Sequence, residues 1–286
     1  MAALSAAAIS GIPPASAEDS PFATVYTTDT QPEGEAEVEQ WLTWKAGKAH
    51  ESFNAIEGRT EIEYGLTSKF QIAAYANYEW SRERVHPITG PADTDTRFTG
   101  FSLETIYQIL DVDDDPVGLA LYVEPKIGPG TRELESKILL QKNFLDDRLV
   151  LAANLVLEHE WNLEPPDPSA PPGSKEFTRH WATNTELHFL AGISYRVDSS
   201  WSAGVEFASQ REYDGLLLFQ HSAAAANSFF LGPTLNFAAK EYWVTFGAQA
   251  QLPWAINLSG QPGETVNNYA HEEERFRLFL RTGFDL

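Results

Sequence analysis

The sequence predicts an all-β chain, a single antiparallel transmembrane β-barrel of about 12 strands with both termini on the periplasmic side. Three observations carry this expectation. The arms of alternating residues are long enough to cross a bilayer, short and long connections segregate, and no apolar run reaches the ~18 residues a membrane helix needs. The clearest arm pair is EIEYGLTSKFQIAAYANYEW, Glu61 to Trp80. Ile62 and Tyr64 alternate with Glu61 and Glu63; after a short polar turn, Phe70, Ile72, Tyr78 and Trp80 alternate with Gln71, Asn77 and Glu79. Arms of about ten residues exceed the ~5 to 6 of a soluble strand and match the ~9 to 11 of a tilted membrane strand.

In chain order, alternation begins at Glu35 and gives a first strand to about Lys45, with Val38, Leu42 and Trp44 on one face and Glu37, Glu39 and Trp41 on the other. The hairpin above supplies strands two and three, 55–65 and 70–82. Strand four, 97–109, points Phe101, Leu103 and Tyr107 opposite Ser102, Glu104 and Gln108; strand five, 117–127, sets Leu119, Leu121 and Val123 against Tyr122, Glu124 and Lys126. Strands six and seven, 132–144 and 149–161, flank a tight turn at Asp146-Asp147. Strands eight to twelve follow at 183–196, 201–210, 227–238, 242–252 and 273–286. Connections after even-numbered strands are short turns, and most of those after odd-numbered strands are long and rich in Pro, Gly and charge. That asymmetry is the mark of outer-membrane barrels, whose periplasmic turns are short and whose extracellular loops are long. A soluble sandwich has no reason to sort its loops this way, and a lipocalin-type barrel uses only about eight strands.

Composition bounds the rest. The mean hydropathy of -0.31 excludes a helical membrane protein but not a barrel, which hides its apolar residues by alternation. A formal net charge of -21, from 20 basic against 41 acidic residues, argues against nucleic acid as a partner, because phosphate contacts need an excess of Lys and Arg. There is no cysteine, which suits an oxidising compartment. Residues 1–17, MAALSAAAISGIPPASA, are uncharged and end in the small-x-small pattern of a signal-peptidase site, so export with cleavage after Ala17 is expected. Residues 18–34 are rich in Thr, Asp and Pro and read as a periplasmic lead-in without fixed structure; the barrel then occupies 35–286.

The blocks GEAEVEQW (34–41), EIEYGLTSKFQ (61–71), VGLALYVEP (117–125), QKNFLDD (141–147) and FLGP (230–233) resemble a family of Gram-negative outer-membrane β-barrels of unassigned function, similar in style to transporter-like barrels encoded beside aromatic-compound degradation genes. The resemblance spans nearly the whole mature chain. It implies a porin-like or transport role in the outer membrane, and it carries no catalytic residues.

The strand phasing selects pore-lining candidates: Glu37, Glu39, Arg59, Glu61, Glu63, Glu104, Glu124, Lys126, Glu135, Lys137, Arg277 and Arg281. Closing strand one on strand twelve brings Arg277 and Arg281 near Glu37 and Glu39. Such charges either fill the barrel as cross-strand pairs or line a narrow cation-preferring pore for a small solute. Glu61 and Glu63 are the leading lining candidates. An enzyme is the rival class: Ser136 and His159 share the outward phase diagonally across the Asp146-Asp147 hairpin, as a lipid-hydrolysing barrel would require, although no third orienting residue is evident. The seven His are scattered singly, so no zinc spacing, no metal site and no cofactor are expected. The expected partners are outer-membrane lipid and lipopolysaccharide, the latter bridged by acidic loops such as 92–95 and 271–274, and a small solute.

Overall fold

A computed structural model describes residues 20–48, 51–85, 91–216, 224–260, 262–271 and 273–286. The expected signal peptide, 1–17, lies outside the described residues. The long strands are β1 (Ala36–Ala46), β2 (Glu51–Thr67), β3 (Phe70–Val85), β4 (Asp93–Leu110), β5 (Gly118–Gly128), β6 (Thr131–Phe144), β7 (Leu149–Glu164), β8 (His180–Arg196), β9 (Trp201–Asp214), β10 (Ala224–Ala238), β11 (Tyr242–Gln251) and β12 (Phe276–Asp285). Each pairs antiparallel with its sequence neighbour, and β12 pairs with β1, Glu37 opposite Asp285, which closes the barrel. A two-residue strand, Ile256–Asn257, adds to β10 within the long connection from β11 to β12, where Thr265–Val266 and Tyr269–Ala270 form a small hairpin.

Several strands outrun their sequence-expected ends at one rim. Glu51 pairs with Val85 and Glu83 with Asp93, although these stretches are polar on both faces. Backbone pairing needs no apolar alternation, so the sheet continues past the belt where alternation is legible. The short turns, 68–69, 111–117, 145–148, 197–200 and 239–241, share the opposite rim. Of the connections at the first rim, those spanning 165–179, 215–223 and 252–275 are long, whereas 86–92 matches the longest of the turns, 111–117, and 47–50 and 129–130 are as short as the rest.

The outer wall is apolar. Ile62, Phe101, Leu103, Tyr107, Ile127, Leu155, Phe189, Phe246 and Phe276 are exposed on it, an arrangement that water would penalise and lipid would not. Ile62, Tyr64 and Tyr78 of the opening hairpin belong to this surface, as their phase requires.

The inside corrects the sequence reading. The segment 20–34, expected as a lead-in without fixed structure, runs inside the barrel as a strap, with Phe22, Val25 and Thr28 fully buried and Gln31 nearly so. Its composition is polar enough for disorder in water. Inside the barrel, its backbone N–H and C=O groups meet inward-facing amides and carboxylates instead. The strap leaves the lumen beside Gly65, where Gly34 N–H donates to the Gly65 carbonyl at 2.9 Å, and turns into β1.

Candidate functional site: the lumen and its strap

The strap follows the inner wall near the short-turn rim. Thr245 of β11 donates to the Ser20 carbonyl at 3.3 Å, and Arg281 of β12 to the Phe22 carbonyl at 3.2 Å. The Glu206 carboxylate of β9 then accepts three successive backbone N–H groups, from Ala23 and Thr24 at 2.7 Å and from Val25 at 3.1 Å, together with the Thr24 hydroxyl. Asn154 of β7 both accepts from Tyr26 N–H (2.7 Å) and donates to the Tyr26 carbonyl (2.8 Å). Gln141 of β6 accepts from Thr28 N–H at 2.7 Å, Gln108 of β4 donates to the Thr28 carbonyl at 3.2 Å, and Gln71 of β3 accepts from Gln31 N–H at 2.7 Å.

Apolar side chains fix the strap's height in the barrel. Phe22 and Val25 pack on Ala152, Val156, Leu190, Ala208 and Phe230, inward residues that would otherwise line a watery lumen with hydrocarbon. Tyr26 packs on a second group, Ile106, Ala120, Tyr122 and Leu139. Two glycines make the close approach possible. A Cβ on Gly192 would stand 2.5 Å from the Phe22 ring, and one on Gly118 would stand 2.3 Å from the Thr28 hydroxyl.

Opposite the strap, β12, β1 and β2 place Arg281, Trp41 and Arg59 in direct register. The guanidiniums lie 3.2 and 3.4 Å from the Trp41 ring centroid, and Arg59 also donates to the Tyr26 hydroxyl at 2.7 Å. Lys137 sits 4.0 Å from the Tyr26 ring and 3.8 Å from that of Tyr122. Stacked cations and aromatics of this kind each contribute about 0.5 to 2 kcal/mol when desolvated. These side chains fill the space between the strap and the wall at β12, β1 and β2.

Two cavities meet the strap from opposite sides. A vestibule of about 970 Å³ touches Thr24 and opens among Glu57, Glu79, Glu133, Glu160 and Glu273. A smaller space of about 470 Å³ lies toward the short turns, between Pro21, Thr27 and Asp29 of the strap and Asp113, Arg148 and Arg196. Burial pushes the Asp29 carboxyl up from 3.8 to about 6, with Asp113 and Asp111 adding to it, against the lowering effect of its hydrogen bonds from Gln141 and Thr27.

The vestibule wall carries a feature that phasing alone does not reveal. Glu124, Glu135, Glu158, Glu186 and Glu212 stand directly opposite one another on five consecutive strands, β5 to β9. Directly opposed side chains lie ~4.5 to 5.5 Å apart at Cβ, and like charges there repel. Lys137 relieves Glu135 at 2.8 Å and His188 relieves Glu186 at 2.7 Å.

The sequence-selected residues all face inward but fall into two groups. Arg59, Glu124, Lys126, Glu135 and Arg277 line the vestibule, where Lys126 pairs with Glu133 at 2.8 Å. Glu37, Glu39, Glu61, Glu104, Lys137 and Arg281 are buried, and Glu63 is half-buried, at the level of the strap. Glu61 and Glu63 therefore do not face the open vestibule, because the strap and the Trp41 layer cover them. Arg281 does approach Glu39, at 3.9 Å, but Arg277 pairs with Glu273 and Glu274 instead. The closure register puts Arg277 opposite Lys45, far along the strand from Glu37. Ser136 stands opposite Leu157, and His159 is buried with its Nδ1 3.0 Å from the Thr185 hydroxyl, so the His is engaged elsewhere.

The sequence matches a family of unknown function, DUF6662, over residues 14–285. No curated protein matches it. Among solved structures, the fold is similar to the COG4313 outer membrane channel from Pseudomonas putida F1, with a TM-score of 0.57 at 12% identity over 91% of this chain and 98% of that one. It is also similar to the translocator domain of the autotransporter NalP from Neisseria meningitidis, with a TM-score of 0.54 at 8% identity over 90% of each chain. The β domain of the Bordetella autotransporter BrkA gives 0.51 at 8% identity, over 89% of this chain and all of that one. At these identities the likeness is one of fold, that of an outer-membrane β-barrel.

Proposed function

The chain belongs to the DUF6662 family and is an outer-membrane β-barrel, and from its lumen we propose that it is a narrow, cation-preferring pore for a small solute, closed at rest by its own strap. The observation that carries this reading is the glutamate row from β5 to β9 above the strap. A set of carboxylates on a low-dielectric wall concentrates cations and repels anions, which a filler with no contact to solute would have no use for. In this reading the long-loop rim faces outward, where its acidic loops bridge to lipopolysaccharide through divalent cations. Both termini face the periplasm, and the protein catalyses no reaction.

The test is conductance in a planar bilayer. Phe22→Ala, which loosens the strap, raises open probability and gives cation-selective steps; adding Glu135→Gln, Glu158→Gln and Glu186→Gln lowers the cation-to-anion permeability ratio several-fold. A membrane that stays silent with the strap loosened identifies a filled barrel, and anion selectivity overturns the reading.

A further inference from the structure

Beside the strap, β1 and β2 place Glu39 directly opposite Glu61, and Glu37 opposite Glu63. One carboxylate oxygen from each of Glu39, Glu61 and Glu63 lies within 4.8 Å of the others, at the level of the Trp41 layer. Glu104, fully buried on β4, accepts from Gln71 at 3.4 Å, and the same Gln71 amide donates to Glu63 at 2.8 Å. These four carboxylates face two guanidiniums, Arg59, with Nε 3.3 Å from Glu61, and Arg281, 3.9 Å from Glu39. The nearby Lys137 is engaged by Glu135. With all four ionised, the group would be short of two positive charges.

An independent observation singles out Glu61. Its side chain is fully buried, yet no hydroxyl, amide or guanidinium donates to either of its oxygens, whose close neighbour is another carboxyl, that of Glu63; the Arg59 Nε close by lacks hydrogen-bond geometry toward it and is itself unsatisfied. A buried carboxylate without an acceptor role is among the costliest arrangements in a protein interior. A divalent cation would meet both deficits, since it brings two positive charges and takes oxygens as ligands.

We propose that Glu39, Glu61 and Glu63 bind one divalent cation of the calcium class, set into the wall where the strap meets β1 and β2. The donors are carboxylate oxygens without sulfur or imidazole, which suits a hard ion rather than zinc or copper. Separations of up to 4.8 Å fit two ligand bonds of the ~2.3 to 2.6 Å that calcium takes better than the ~2.0 to 2.1 Å of magnesium. The site is separate from the vestibule trio Glu133, Glu158 and Glu160, which also clusters but is more open. It stands on the geometry of β1 and β2 whether or not the barrel conducts.

The test uses the full chain in detergent, stripped with chelator and titrated with terbium while the aromatics are excited. Trp41, whose indole N–H donates to Glu39, is the adjacent sensitiser. The expected result is one saturable phase of terbium emission, displaced by calcium, weakened at least tenfold in Glu61→Gln/Glu63→Gln and retained in Glu133→Gln/Glu158→Gln/Glu160→Gln. Emission that survives the first variant, or that vanishes only in the second, overturns the proposal. If Glu61→Gln/Glu63→Gln fails to fold, equilibrium dialysis of calcium against the vestibule triple variant decides: one bound ion per chain supports the site, and none overturns it.

Discussion

Glu206→Ala probes the strap at its most concentrated attachment. The carboxylate accepts three backbone N–H groups and one hydroxyl from Ala23, Thr24 and Val25, and it is itself 1% exposed. Hydrogen bonds to a charged acceptor contribute about 1.5 to 3 kcal/mol each, so a simple sum would exceed what a strap of this length can hold. The sum is too large for a second reason: once the strap lifts, water satisfies the freed donors. A net loss of about 3 kcal/mol is the reasonable expectation, which shifts the docked-to-free ratio roughly a hundredfold. The chain contains no cysteine, so Val25→Cys gives a single reporter at a position fully buried when the strap is docked. Maleimide labelling of Val25→Cys should be slow, and labelling of Glu206→Ala/Val25→Cys about a hundredfold faster, with the β-sheet circular dichroism unchanged. Equal labelling rates in the two proteins would refute the assignment of Glu206 as the anchor.

Two further outcomes follow from the same geometry. Gly192→Leu places a side chain in the volume of the Phe22 ring, so the Val25→Cys reporter should label as fast as in Glu206→Ala while the barrel still folds; slow labelling would mean that Phe22 does not hold the strap there. Asp29 titrates near 6 when docked and near 3.8 when free, so docking strengthens as pH falls and the gain is complete below about 3.8; it is lost as pH rises through about 6. Open probability should therefore drop between pH 7 and 5, and Asp29→Asn should flatten that profile even though Asp111, Asp113, Asp147, Arg148 and Arg196 remain around the position.

The barrel was legible because alternation, turn chemistry and loop asymmetry are local signals, and the structure reproduces strand order and pairing from Glu35 onward. The strap was not legible for a physical reason. Residues such as Thr24, Thr27, Thr28 and Asp29 have no periodicity of their own, and their order comes from partners more than a hundred residues away, including Gln141, Asn154 and Glu206. A signal did exist on the wall. Ala152, Val156, Leu190 and Ala208 take the inward phase of β7, β8 and β9, and an apolar patch facing a supposedly watery lumen requires something to cover it. Inward glycines at Gly118 and Gly192 mark where another segment comes close. The glutamate row was partly legible: Glu124 and Glu135 stood among the pore-lining candidates, but opposition across five strands depends on register, which turn lengths and the long loops set jointly.

The arrangement along the barrel axis bears on how such a pore would work. The glutamate row lies on the vestibule side of the strap, on β5 to β9, while Arg281, Trp41 and Arg59 lie on β12, β1 and β2 at the strap's own level. A cation entering from the long-loop rim meets carboxylates before it meets the closure. It can therefore accumulate in a vestibule of about 970 Å³ while the strap stays docked. Were the order reversed, the guanidinium pair would repel it before any carboxylate could attract it. Loading and opening are then separable steps, with the first set by the row and the second by Glu206, Phe22 and Asp29. A variant of the row should change selectivity without changing Val25→Cys labelling, and a variant of the strap should do the reverse. If both properties moved together in either variant, row and strap would form a single element, and the separation argued from their positions would fail.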